Sequence, residues 1–157
     1  AAVVGRLNQA ILEEGERARF LTLLHGEISV APDGFDLRLV SAGHPEALRL
    51  RPNGEVDVVA SPQPLLGVFE EAAFEAESVR LAPGDVLLAV TDGVTERRCE
   101  DRLLDDDGGL AKLLAECAGL SARAVAERIF RAVQDFAYEP SADDLAILVL
   151  RAPERPA

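Results

Sequence analysis

The run Val86-Leu87-Leu88-Ala89-Val90 constrains this chain more than any other segment. Five consecutive apolar residues leave no face for water, so as a strand the run must be covered on both sides. A chain that carries it has to build a sheet with another layer packed over it. Turn chemistry bounds the run at both ends, Pro83-Gly84-Asp85 before it and Thr91-Asp92-Gly93 after it. A second apolar run, Leu145–Leu150, follows Asp143-Asp144 and reads as a last buried strand.

The remaining pattern alternates between strand and helix signals. Val3, Leu7 and Ile11 recur at four-residue spacing with Val4 beside them, which predicts a helix stopping near Gly15 and starting without a capping residue. Phe20–Val30 and Phe35–Ser41 flank Ala31-Pro32-Asp33-Gly34 and predict a hairpin. Ala47–Leu50 and Glu55–Val59, joined through Pro52-Asn53-Gly54, predict another, with Leu48 and Leu50 inward and Arg49 and Arg51 outward. Pro62 and Pro64 make Ser61–Gly67 a loop, and Phe74–Leu81 reads as a strand. The polar stretch Asp92–Gly109 is expected to be loop. Leu110–Ala118 predicts a short helix; Ser121 can cap a longer one, lined by Val125, Ile129, Val133 and Phe136 and ended by Pro140. The tail Arg151–Ala157 is expected to fray, which puts the domain at 1–151 and the loose end at 152–157. This order of elements describes an α+β layered domain.

Composition removes several functions. With 157 residues, 48% of them apolar, the chain can bury a sizeable core. Sixteen basic against 28 acidic residues leave a net charge of −12, which excludes nucleic acid and anionic membrane surfaces as partners. The apolar runs are far too short to span a bilayer. Cys99 and Cys117 make neither a disulfide framework nor a metal cluster, and unpaired thiols suit a reducing cytoplasm. No export signal is visible. The absence of methionine and the uncapped first helix point to a chain that begins inside a fold.

Each of the two strongest apolar strands carries a carboxylate at its mouth: Asp92 after Val86–Val90, Asp143 and Asp144 before Leu145–Leu150. Strand ends are rigid and half-exposed, which suits a site for a hard cation such as Mg²⁺ or Mn²⁺ that takes oxygen ligands and retained waters. Gly93 would let the backbone approach closely. The plainer reading of the same aspartates is that they end strands as solvated turn residues. His44 sits in a Gly-His-Pro sequence at a strand end, where hydrogen bonding to backbone suits it better than ligation. His25 reads as a strand residue, and Asp105–Asp107 as a solvated loop favouring the start of the next helix. Thr95, Glu96, Arg97 and Arg98 could face a phosphate, the arginines more simply forming salt-linked surface.

Five segments occur in one order: Ser41-Ala42-Gly43-His44-Pro45, Pro64-Leu65-Leu66-Gly67-Val68, Leu81-Ala82-Pro83-Gly84-Asp85-Val86-Leu87-Leu88, Thr91-Asp92-Gly93-Val94-Thr95-Glu96, and Asp143-Asp144 before an apolar strand. This series resembles the SpoIIE-type serine phosphatases, a bacterial branch of the metal-dependent PPM (type 2C-like) protein phosphatases, over nearly the whole chain. The resemblance implies a sandwich of two antiparallel sheets flanked by helices, holding two Mn²⁺ or Mg²⁺ ions that activate a water for in-line attack on phosphorus. It implies Asp92 and Asp143 as metal ligands, with Gly93, Asp144 and His44 as support. It further implies, as substrate and partner, a phosphorylated STAS-type anti-sigma-factor antagonist, and it leaves room for a homodimer. The family's upstream Gly-Asp-aromatic-aromatic-Asp and Asp-x-x-Gly-His segments have no counterpart in these residues. The expectation is therefore the C-terminal portion of such a domain, without its N-terminal strands and inactive by itself. A phosphatase-like module that binds a regulatory partner without catalysis is the other reading.

Overall fold

The apolar run is strand β6 (Val86–Val90), and all of its residues are buried. In the computed structural model, which describes residues 1–15, 20–139 and 143–154, the chain divides into two units. One comprises Ala1–Glu46 and Val59–Arg80, the other Ala47–Val58 and the described part of 81–157. Strand β6 lies in the second unit, flanked by β3 (Ala47–Leu50) and β9 (Ile147–Arg151), with β4 (Val56–Val59) outside β3. Both flanking strands run antiparallel to it, with Leu48 opposite Leu88 and Val90 opposite Ile147.

Two helices cover this sheet's core face. Helix α3 (Gly109–Ala115) contributes Leu110 and Leu114, and α4 (Ala122–Phe136) contributes Val125, Ile129 and Val133, which pack with Leu48, Leu50, Val86, Leu88 and Val90. Each such side chain stabilises the fold by about 1.5–3 kcal/mol relative to exposure. The predicted cap is present: Ser121 Oγ accepts a hydrogen bond from the Ala124 amide at 3.2 Å. Pro140 lies outside the described residues; the helix itself ends at Phe136.

In the first unit, β1 (Leu23–Ala31) and β2 (Gly34–Ala42) form the predicted hairpin in register Ala31 to Gly34 through Leu23 to Ala42. Gly34 has φ +103°, a value L-residues avoid, and this is where the Pro32-Asp33 turn re-enters the strand. Strand β5 (Glu77–Leu81) lies beside β2, and Arg80 ties it to the hairpin through Asp36 Oδ1 (2.6 Å) and the Asp33 carbonyl (2.7 Å). Helix α1 (Ala2–Glu13) packs Val4 with Val40, Ala42, Leu66 and Phe74. The architecture is thus α+β, with two principal antiparallel sheets and helices.

Several expectations are corrected. The buried face of α1 runs through Val4 and Asn8, leaving Val3 and Leu7 exposed, because Asn8 is a core residue that donates to the Phe69 carbonyl (3.0 Å) and accepts from the Gly67 amide (2.8 Å). Phe74 precedes its strand, which starts at Glu77. Arg49 does not simply point to water; its Nη2 and Nε grip Asp57 at 2.6 and 3.2 Å. Among the described residues the last strand is an edge and is not buried throughout: Leu148 is 56% exposed. The chain is still fastened at 152, where Ala152 is fully buried, donates to the Asp85 carbonyl and accepts from the Gly84 amide. Fraying from 152 is therefore wrong at that residue; 155–157 lie outside the described residues. Asp92–Gly109 is not plain loop either, since it holds helix α2 (Asp92–Thr95) and the hairpin β7 (Arg98–Cys99)–β8 (Arg102–Leu103).

The Arg49–Asp57 pair gives a test of pH dependence. The hydrogen bond from Arg49 holds the Asp57 carboxyl below its ordinary value of 3.8, against an opposing effect of burial. A carboxyl lowered in the folded state adds stability that is complete above its unfolded value and lost as pH falls through the folded one. Urea unfolding from pH 7 down to about pH 3 should show the native protein losing stability more steeply below about pH 4 than Asp57→Asn. Parallel curves would remove the assignment.

Candidate metal centre

Strands β6 and β9 end their ladder at Val90 and Ile147. One residue beyond Val90 stands Thr91, and three residues before Ile147 stands Asp144. The two strand mouths are clasped by that threonine. Thr91 Oγ1 donates to the Asp144 carbonyl (3.0 Å) and accepts from the Ala146 amide (2.9 Å), while the Thr91 amide donates to the Ala146 carbonyl (3.1 Å). These three bonds bring the segment carrying Asp92 against the segment carrying Asp143 and Asp144. The sequence reading gave Thr91 no role; a hydroxyl at the last position before the turn was the available signal.

Gly93 explains why the approach can be so close. A Cβ built on it would stand 2.6 Å from the Asp144 carbonyl oxygen, inside any real contact distance. Proximity alone requires glycine here, since Gly93 is absent from the positive-φ positions. Asp92 opens α2, and its Oδ1 accepts from the Gly93 amide at 2.9 Å. Asp143 repeats the arrangement, Oδ1 accepting from the Asp144 amide at 2.8 Å. Both carboxylates are exposed at the same end of one strand pair.

An all-oxygen donor set of this kind fits a hydrated Mg²⁺ or Mn²⁺ ion, which takes one or two carboxylates and keeps waters in its octahedron. It does not fit two ions, because no group of three or more His, Cys, Asp or Glu side chains able to hold a metal occurs among the described residues.

The other candidates have the following settings. His44 belongs to the first unit, its Nδ1 3.4 Å from Thr22 Oγ1 and its carbonyl accepting from Ser41 Oγ at 3.2 Å. His25 is a half-buried residue of β1, its Nε2 3.8 Å from Glu27. Asp105 and Asp106 organise the turn before α3, accepting from the Leu110 and Leu103 amides at 2.9 and 2.7 Å, as the helix-start reading of that acidic run expects. Ser141 and Ala142 lie outside the described residues. Arg97 is neither phosphate-facing nor salt-linked surface: it is 7% exposed, and its guanidinium donates to the carbonyls of Val133 (3.1 Å), Ala137 (3.0 Å) and Glu139. Burial pushes the Cys117 thiol above its ordinary value, and its Sγ lies 3.4 Å from the Leu113 carbonyl, so it is no nucleophile.

The layered α+β fold is shared with solved PP2C phosphatase domains. The SiaA-PP2C domain of Pseudomonas aeruginosa matches 96% of this chain and 60% of its own at a TM-score of 0.74 and 22% identity. The manganese-presoaked phosphatase domain of the cell fate determinant SpoIIE from Bacillus subtilis matches 99% of this chain and 66% of its own, with a TM-score of 0.70 and 18% identity. In sequence, the chain is 27% identical over 154 residues to phosphoserine phosphatase RsbU of Bacillus subtilis, covering 95% of this chain and 44% of RsbU. The family model described as Stage II sporulation protein E (SpoIIE) matches residues 1–153, and the chain belongs to that family. It spans less than half the length of the curated relatives it matches.

The contact at Gly93 predicts that Gly93→Ala forces the two strand mouths apart. Thermal unfolding should show a loss of about 1–3 kcal/mol, and Mn²⁺ affinity should fall with it. An alanine variant with native stability and native Mn²⁺ affinity would show that the close approach is not required.

Proposed function

We propose that this chain is part of a divalent-metal-dependent phosphoserine/phosphothreonine protein phosphatase in which Asp92 and Asp143 are metal ligands. The observation that carries the reading is the junction of Thr91-Asp92-Gly93 with Asp143-Asp144 at one end of the β6–β9 pair, in a chain of the SpoIIE family. Gly93 and Asp144 support the ligands by backbone contact, and His44 shapes the end of β2 without ligating. A divalent cation there supplies charge neutralisation at phosphoryl oxygens and activation of a water. The chain's own residues hold the carboxylates: Thr91 fixes the strand mouths, and the amides of Gly93 and Asp144 each orient one carboxylate oxygen.

A centre with two Mn²⁺ or Mg²⁺ ions needs more anionic ligands than Asp92 and Asp143 supply, so a preparation of these residues alone is expected to be inactive. The substrate we assign is a regulatory phosphoprotein, a phosphorylated STAS-type anti-sigma-factor antagonist. Similarity to a protein named phosphoserine phosphatase RsbU supports the phosphoserine part of that assignment, and a cytoplasmic setting belongs to the same proposal. Among the described residues no helix is long and apolar enough to cross a membrane. The shortage of metal ligands among them favours one competing reading, a module that binds such a partner without hydrolysing it.

Manganese-dependent release of phosphate from a phosphoserine peptide by the full-length protein separates the two. Asp92→Asn should lower the rate by about a hundredfold, equivalent to about 2.7 kcal/mol of transition-state stabilisation. Equal rates for native and variant protein would refute Asp92 as a ligand, and binding of a phosphopeptide without any hydrolysis would favour the non-catalytic module.

A further inference from the structure

Arg97 follows the Asp92 segment in the sequence, and its side chain is buried at the end of α4. It follows the turn that carries Asp92, and its own amide donates to the Val94 carbonyl of α2 at 3.3 Å. Its side chain turns inward to the far end of α4. Val133 is one of the last four residues of that helix, whose carbonyls have no partner within the helix. The guanidinium satisfies that carbonyl and then those of Ala137 and Glu139, beyond the helix end. Cations are favoured at this pole of a helix, and a planar fork of donors suits several carbonyls at once.

The consequence lies four residues further on. Glu139 is followed at that distance by Asp143, and four residues reach at most about 14 Å. Holding the Glu139 carbonyl therefore limits where Asp143 can be delivered. After Asp143 the chain is held by Thr91, through Asp144 and Ala146. One side chain placed five positions after Asp92 thus holds the chain at Glu139, four residues before Asp143.

We propose that Arg97 is a positioning residue for the metal centre: its guanidinium fastens the chain at Ala137 and Glu139, four residues before Asp143, to the turn that carries Asp92. The effect on metal affinity rests on the phosphatase reading above, whereas the fastening itself does not. Arginine is needed for its fork, because a lysine ammonium presents its three donors from one atom and does not span carbonyls reached from both Nε and Nη2.

The test uses the full-length protein and two readouts, amide hydrogen exchange and Mn²⁺ binding followed by paramagnetic resonance of the free ion. Arg97→Ala should speed exchange of the Asp144 and Ala146 amides relative to those of β6, and weaken Mn²⁺ binding, by about tenfold or more in each case. Arg97→Lys should recover part of both. Ile129→Val and Ile129→Ala, which loosen the same helix through the core, bracket the general loss of stability and should move neither readout. If Arg97→Ala changes exchange and affinity no more than an Ile129 variant of equal stability, the inference is overturned. Should Arg97→Ala fail to fold, unchanged exchange and affinity in Arg97→Lys overturn it instead. Native Mn²⁺ affinity in Asp92→Asn would sink the metal reading, and exchange would still decide the fastening.

Discussion

A strand buried on both faces can be kept only if the polar backbone at its two ends is answered, and most of the second unit follows from meeting that condition for β6. At one end, the Asp85 carbonyl accepts from Ala152, the Gly84 amide donates back to Ala152, and Asp85 Oδ2 caps the Ala82 amide at 2.9 Å. At the other end, Thr91 clasps Asp144 and Ala146. Both closures use the flanks of β9, so the partner strand is pinned before and after its ladder. The carboxylates of Asp92 and Asp143 are exposed just past the second closure, where the backbone is already fixed. A cation site at this place costs little reorganisation, because burial of Val86–Val90 has done the ordering.

Polar side chains inside the units follow a common rule. Asn8 bonds the loop at Gly67 and Phe69, Ser41 bonds the His44 carbonyl, Asp85 bonds the Ala82 amide, and Arg97 bonds three carbonyls around the end of α4. Each is nearly fully buried. Loop backbone cannot satisfy itself as a helix or ladder does, so a buried loop recruits a side chain to do it. Removing such a side chain strands the backbone groups it served, which is a larger loss than the bond itself.

That rule also explains what the amino-acid pattern could and could not reveal. Val86–Val90, the Ser121 cap and the Val125, Ile129, Val133 stripe were legible because apolar periodicity and capping are local. The place of Asp92 and Asp143 at strand mouths and the close approach at Gly93 were legible from the turn chemistry there, while their proposed role as ligands comes from the order of the family's motifs. The buried faces of α1 and the setting of Arg97 were not, because hydropathy assigns asparagine and arginine to water, and only the tertiary fold shows which carbonyls they serve. The hairpin β7–β8 was hidden for a similar reason: two-residue strands carry too little pattern, and Asp105 and Asp106 do their work through turn amides.

Asp92 and Asp143 are proposed to act on a common cation at one strand end. A double-mutant cycle on Mn²⁺ affinity measures that directly, using Asp92→Asn, Asp143→Asn and the pair. Ligands of one ion are coupled, so the double variant should bind scarcely worse than the weaker single variant, leaving a coupling of about 0.5–3 kcal/mol. Losses that add within about 0.5 kcal/mol would place the two carboxylates on independent sites and contradict it.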